Sequence, residues 1–387
     1  MISISRLLCD AVGPGDSLRY NRGHQAADRQ RPIVVWNCTR KCNLHCVHCY
    51  SSAGDKDHAE VLTTEQAKSF IHDLADFGVP VILFSGGEPL LRQDIFELAK
   101  LAEKHRIRTA LSTNGTLISK SLANEIKNAS FAEVGISLDG IGSKNDRFRG
   151  KEGAYEAALL GIRNCIALGL RVSLRFTITL ANYTEIPAIF DLVEREGIER
   201  VCFYHLAYVG RAGSLSKDDL DHSQTRAAVD LICDRTIDLY QRGINKEVLT
   251  VDNHADGVYL YLKLKGQDPA RAEKVLALLR ANGGNNSGIR IGAVDELGNV
   301  HADQFWQHYS FGNVCQRKFG DIWLDTSDPL MRRLKDRRGL LKGRCARCQY
   351  LELCNGNLRV RAETMFGDIW AEDPACYLTD SESGLVQ

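Results

Sequence analysis

Residues 41 to 50 read KCNLHCVHCY, and within them Cys42, Cys46 and Cys49 stand at the spacing C-x3-C-x2-C. Three soft sulfur donors so close together can ligate a single metal centre. Covalent heme attachment needs C-x-x-C-H, and Tyr50 follows Cys49, so that chemistry is excluded. A structural zinc site closes with four ligands, and the fourth would have to come from Cys38, His45 or His48. Three thiolates can instead hold a cube of iron and sulfide and leave one iron without a protein ligand. That open iron is where a reaction could begin. Counting from Cys38 gives C-x3-C-x3-C, so Cys38 is read as a strand-end thiol in the core.

A second set lies near the C-terminus. Cys345, Cys348 and Cys354 give C-x2-C-x5-C, and Cys376 follows in "DPACY". Four thiolates suit a closed tetrahedral zinc or a four-cysteine iron–sulfur cube, and spacing alone does not separate the two. Cys9, Cys165, Cys202, Cys233 and Cys315 have no neighbours at ligand spacing. Thirteen cysteines is many for a chain kept reduced, and clustered thiols there read as metal ligands more readily than as disulfides.

The elements that must position these thiols alternate regularly. Compact apolar runs at Ile33 to Trp36, Val79 to Phe84, Arg108 to Ser112, Glu133 to Leu138, Val172 to Thr179 and Arg200 to Leu206 predict six strands. Helical stretches fill the gaps. In "LTTEQAKSFIHDLADFG", Thr63 or Thr64 caps the start, Phe70, Ile71, Leu74 and Phe77 form the apolar stripe, and Gly78 ends it. Six strand–helix units predict a parallel sheet, an open doubly wound sheet or a partial barrel, with chemistry at the C-terminal ends of the strands. The motifs should sit just after strands. The chain divides into a polar leader (1–31), a barrel unit (32–213), a charged helical connector (214–285) and a smaller C-terminal unit (286–387) with a hairpin-like turn at "DELGN".

Lys+Arg and Asp+Glu balance at 49 each, so no positive excess is available for a nucleic-acid backbone. No apolar run approaches the roughly 18 residues of a membrane span, and the start is not that of a signal peptide. A cytoplasmic protein without nucleic-acid or membrane partners is expected.

With these residues in place, the sequence resembles the radical S-adenosylmethionine (SAM) enzymes, whose C-x3-C-x2-C loop follows the first strand of a partial (β/α)6 barrel. Three further loops carry the resemblance: "FSGGEPL", "STNG" and "GISLDG", each after a consecutive predicted strand. The resemblance implies that Cys42, Cys46 and Cys49 hold a 4Fe-4S cluster and that Tyr50 lies beside the adenine. It implies Gly86, Gly87 and Glu88 at the methionine amino group, where a carboxylate complements an ammonium. Ser112 and Asn114, then Ser137 and Asp139, are implied at the ribose and carboxylate of SAM. The tail is similar to the SPASM/twitch extensions of such enzymes. On that likeness Cys345, Cys348, Cys354 and Cys376 bind an auxiliary 4Fe-4S cluster, making two clusters in all. A full SPASM domain has a second auxiliary site, where this chain reads Ala293 and Asp303 instead of cysteine.

Longer stretches, among them "CFYHLAYVGRAG", "EVLTVDNHADGVYLYLKL" and "VHADQFWQHYSFGNV", resemble the branch that trims side chains of siroheme-derived tetrapyrroles. This implies removal of acetates from 12,18-didecarboxysiroheme to give Fe-coproporphyrin III, or, on the related heme d1 route, replacement of propionates by oxo groups. An acetate on a saturated ring carbon offers no acidic handle to a side-chain base, so hydrogen-atom abstraction by a cofactor-borne radical suits the task. Arg175 and Arg211 are candidates for carboxylate groups of cofactor or substrate, and His254 is the candidate axial ligand to the substrate iron, with His301 and His308 as alternatives. Trp306, Tyr259 and Tyr261 are read as core. The resemblance also implies an external ferredoxin- or flavodoxin-like electron donor. Two rivals are a peptide-modifying radical maturase, for whose recognition domain the leader is too short, and an iron–sulfur scaffold, in which Gly86, Gly87 and Glu88 would have no use.

Overall fold

The computed structural model describes residues 1–20, 31–55 and 61–385. The polar leader's stretch 21–30 lies outside them. Ten strands form one sheet: β1 (Ile2–Ser3), β2 (Ile33–Asn37), β3 (Val81–Ser85), β4 (Arg108–Thr113), β5 (Glu133–Ser137), β6 (Val172–Ile178), β7 (Arg200–His205), β8 (Glu247–Val251), β9 (Ile291–Val294) and β10 (Val300–His301). Their order is β1-β8-β7-β6-β5-β4-β3-β2-β9-β10. The six strands read from sequence are β2 to β7, and they pair parallel in chain order. The result is an open, partial α/β barrel. The helix Thr64–Phe77 carries the expected Thr63 cap, completed by Gln66 into a capping box, and ends at Gly78 in the left-handed conformation that glycine adopts freely.

The sheet runs past the expected boundaries on both sides. β8, in the segment read as a helical connector, pairs parallel with β7, and β9, in the C-terminal unit, pairs parallel with β2. The leader begins with β1, antiparallel to β8, and Ile2, Ile4 and Leu7 are buried. Its first residues therefore belong to the main core. The turn at "DELGN" joins β9 to β10 as a hairpin, with Val300 opposite Val294.

Period-two alternation sorts the barrel strands. Ile136, Leu174, Phe176 and Phe203 point outward into the apolar layer beneath the helices. Ser137, Arg175, Thr177 and Tyr204 line the interior. At the N-terminal end of the barrel, ion pairs fill that interior. Arg200 pairs with Glu133 and with Glu247 at 2.7 Å, and Arg19 and Arg171 reach Glu247 at 2.6 and 2.7 Å. The barrel is thus closed below and open above, at the strands' C-terminal ends. Arg200→Ala would leave Glu133 and Glu247 under-compensated in a buried site, with an expected loss of about 3 kcal/mol. Denaturant unfolding checks this, and a loss below about 0.5 kcal/mol, the scale of an ordinary surface change, would contradict it.

Candidate active site

The loop after β2 carries Cys42, Cys46 and Cys49, and the chain fastens it from three sides. The "GGE" turn after β3 hydrogen-bonds to its start, Gly87 N to Thr39 O at 2.6 Å and Glu88 N to Lys41 O at 2.8 Å. The packing there leaves no room for side chains. A Cβ on Gly86 would meet Thr39 O at 2.3 Å, and one on Gly87 would meet Lys41 O at 2.3 Å. From the end of β5, the helix Ser143–Arg149 ends against the loop, with His45 N bonded to Arg149 O and Val47 N to Phe148 O. On the third side, Arg211 donates Nε to Cys46 O and Nη1 to Ala53 O, both at 2.8 Å. Gly210 packs so closely that a Cβ would lie 2.3 Å from Tyr50 O.

The three cysteines open into a cavity of about 1180 Å³, including its mouth. Tyr50, Gly86 and Gly87 line it, as do Ser112, Asn114 and Ser137. Tyr50 is held by hydrogen bonds with Asn37 and Ser85 and by an edge-on contact with Phe305 at 5.6 Å. Arg175 crosses the barrel interior to Ser112 Oγ. Gly135 makes the crossing possible, because a Cβ there would lie 2.3 Å from Arg175 Nε. No carboxylate among the described residues pairs with Arg175. Arg211 also lines the cavity, but its bonds to Cys46 O and Ala53 O make it a brace of the cysteine loop.

Two residues expected to face SAM lie behind the cavity wall. Glu88 is fully buried, accepting from Thr113 Oγ1 at 2.7 Å, Asn114 N at 2.8 Å and Leu90 N at 3.1 Å. Its carboxylate ties the β3 loop to the β4 loop instead of meeting an ammonium. Asp139 is also fully buried, paired with Arg149 at 2.5 Å and His48 at 3.1 Å, with Thr177 N donating at 2.8 Å. Burial alone would raise its pKa, but the charges of Arg149 and His48 outweigh this and bring it to about 2. Arg149 Nη1 in turn points at Cys46 Sγ, 3.6 Å away.

His254 does not line the cavity; its Nε2 meets the amino group of Met1 at 3.0 Å. His301 is spent on Tyr309 O and Asp295, and His308 on Glu363. Residues that sequence reading missed include Arg149, Tyr204 and Asp252, all at the cavity, and His48, weighed only as a metal ligand, lies there too. His48 stood inside the cysteine motif, whereas nothing in "NDRFRG" marks Arg149 before the helix is folded. Cys38 is buried with its thiol on Ser85 O, as expected of a core thiol, and Trp306, Tyr259 and Tyr261 are buried too.

Cys345, Cys348, Cys354 and Cys376 line one separate cavity of about 660 Å³. Among the described residues, neither cysteine set converges on a point that could hold a single metal ion. Zinc would need its sulfurs about 2.3 Å from a common point. Thiols spread around a cavity instead fit a polynuclear cluster. Burial pushes the Cys42 pKa up to about 11 and that of Cys376 to about 12, so a metal bound by either thiol would displace its proton.

A thiol triad on a loop at the open end of a parallel barrel suits an iron–sulfur cluster that keeps one iron without a protein ligand. The chain belongs to the radical SAM superfamily, whose sequence pattern matches residues 36–193. It is 54% identical to the Fe-coproporphyrin III synthase of Methanosarcina barkeri, over 100% of both chains. It is 44% identical to the pre-heme d1 synthase of Dinoroseobacter shibae, covering 92% of this chain and 88% of the relative. The crystal structure of Streptococcus suis SuiB bound to precursor peptide SuiA shares the fold, with a TM-score of 0.71, 19% identity, and coverage of 90% of this chain and 76% of that one. Membership implies a 4Fe-4S cluster and SAM. No helix among the described residues is long and apolar enough to cross a membrane.

Burial raises the Glu88 pKa to about 7, partly offset by its three donors. A group whose folded pKa exceeds its unfolded value of 4.5 binds extra protons in the folded state between those two pH values. Stability should therefore decline from pH 4.5 to about 7. In cluster-free protein, Glu88→Gln should remove on the order of 3 kcal/mol of that decline, measured by urea unfolding at pH 5 and pH 7.5. Equal slopes in variant and wild type would contradict the reading.

Proposed function

We propose that this enzyme removes the two acetate side chains of 12,18-didecarboxysiroheme to give Fe-coproporphyrin III. The observation that carries the reading is the 54% identity, without a gap in coverage at either end, to an Fe-coproporphyrin III synthase. When bound and reduced, the cluster and SAM supply a hydrogen-abstracting carbon radical. The chain's own task is to hold the target C–H beside it and to exclude other donors.

Cys42, Cys46 and Cys49 hold the SAM-binding cluster. The backbone of Gly86 and Gly87, with Ser112, Asn114, Ser137 and Tyr50, receives SAM. Arg175, which has no carboxylate partner among the described residues, offers its guanidinium to a ligand carboxylate. Cys345, Cys348, Cys354 and Cys376 bind an auxiliary 4Fe-4S cluster, and a low-potential ferredoxin- or flavodoxin-like protein donates electrons. Residues 32–213 act as the radical core and 286–387 as the auxiliary-cluster unit.

Two measurements test these assignments. Reconstituted Cys348→Ala should drop from about eight to about four iron atoms per chain; unchanged iron would remove the auxiliary assignment. In an anaerobic assay with dithionite, SAM and 12,18-didecarboxysiroheme, mass spectrometry should show loss of two acetate units with formation of 5′-deoxyadenosine. Gain of oxo groups with loss of propionates would move the protein to the pre-heme d1 branch, which the 44% identity favours as second reading.

A further inference from the structure

Asp252, directly after β8, combines three features that the reading so far leaves unused. It lines the active-site cavity. Its backbone is left-handed, φ 67°, a conformation that costs a non-glycine residue energy unless the surroundings impose it. Asp252 is half-buried, and no hydrogen bond or ion pair among the described residues involves its carboxylate.

The surroundings do impose it. Arg361, fully buried, donates Nη2 to Asp252 O at 2.6 Å and Nη1 to Leu206 O at 3.0 Å, and its own charge is met by Asp373 at 2.9 Å. Asn357 fastens the next two residues, bonding Asn253 Oδ1 at 2.7 Å and His254 N at 2.8 Å. Arg361 and Asn357 of the C-terminal unit thus hold the backbone that carries this carboxyl at the barrel mouth. A carboxyl fixed in that way is available to a ligand.

Resting on the proposed substrate, we propose that Asp252 is a catalytic residue, the acid that gives a proton to the carboxymethyl group as it leaves the macrocycle. The electrons balance as follows. Loss of a hydrogen atom from the ring carbon beside the acetate-bearing carbon leaves a carbon radical. Homolysis of the ring-carbon to carboxymethyl bond pairs that electron in a new ring C=C bond and expels a carboxymethyl radical. To leave as acetate, the carboxymethyl radical takes one electron from the low-potential donor that also reduces the clusters, and one proton from Asp252. Cavity water then reprotonates Asp252.

Burial shifts the carboxyl toward the acid form without making it the main form at neutral pH. Burial raises the carboxyl's pKa to about 6, against the charges of the Met1 amino group and Arg361, with Asp303 raising it further and His205 lowering it. Tyr204 faces it from β7. A polycarboxylate substrate adds negative charge nearby and favours protonation more.

The test is turnover of 12,18-didecarboxysiroheme in D2O, with the released acetate analysed by mass spectrometry. Wild type should place one solvent deuterium in the acetate methyl group. In Asp252→Asn, and in Asp252→Gly, which accepts the left-handed backbone without strain, acetate formed per 5′-deoxyadenosine should fall about 100-fold, the low end for removal of a general acid. Thermal unfolding and the Soret shift on binding Fe-coproporphyrin III show whether the variants fold and bind. Acetate without solvent deuterium, or folded variants with an unchanged ratio, would overturn the role of Asp252. Wild type that cleaves SAM and leaves the tetrapyrrole intact would overturn the substrate itself and this role with it.

Discussion

The structure depends on a steric exclusion: the cysteine loop and the turn after β3 approach so closely that neither Gly86 nor Gly87 can carry a Cβ. Two backbone hydrogen bonds, from Gly87 and Glu88, join the two segments. The glycines make this close approach of two segments possible. Glu88 extends the same joint to β4 by taking up the Thr113 hydroxyl and the Asn114 amide. Three consecutive strand ends are thereby locked around the thiols, so the loops are pre-organised before cluster or SAM arrives.

The barrel separates stability from chemistry along its axis. Arginines and glutamates below neutralise one another in a packed network, while Arg175 above is left without a carboxylate. The C-terminal unit completes the upper end. β9 adds to the sheet beside β2, Phe305 packs on Tyr50, and Arg361 ties the ends of β7 and β8 to the loop that carries Cys376. The auxiliary cysteines and the barrel mouth are therefore mechanically one assembly.

Much of this was legible in the sequence because local pattern and global fold agree: compact apolar runs bounded by turn residues gave β2 to β7, and spacing gave both cysteine sets. β8 escaped notice because "EVLTV" is a short run beside long charged helices, β9 was expected only as an arm of a hairpin, and β1 is only two residues long. Motif reading placed Glu88 and Asp139 facing SAM, but it carries no information on burial. Both carboxylates are fully buried and spent on neighbours brought close only by the fold. Arg211 and His254 differ for the same reason: a backbone carbonyl and an amino group distant in sequence meet them first. Asp252 was invisible because the side chain that holds its backbone, Arg361, lies 109 positions away.

The most direct test of the central claim is electron paramagnetic resonance of the singly reduced protein titrated with SAM, in wild type and in Gly87→Ala. If close backbone packing sets the cysteine loop so that one iron stays open, SAM shifts the g values of the wild-type cluster. In the folded variant, the extra methyl against Lys41 O abolishes that shift and spares the auxiliary-cluster signal. A variant spectrum that responds to SAM as the wild type does would contradict the claim.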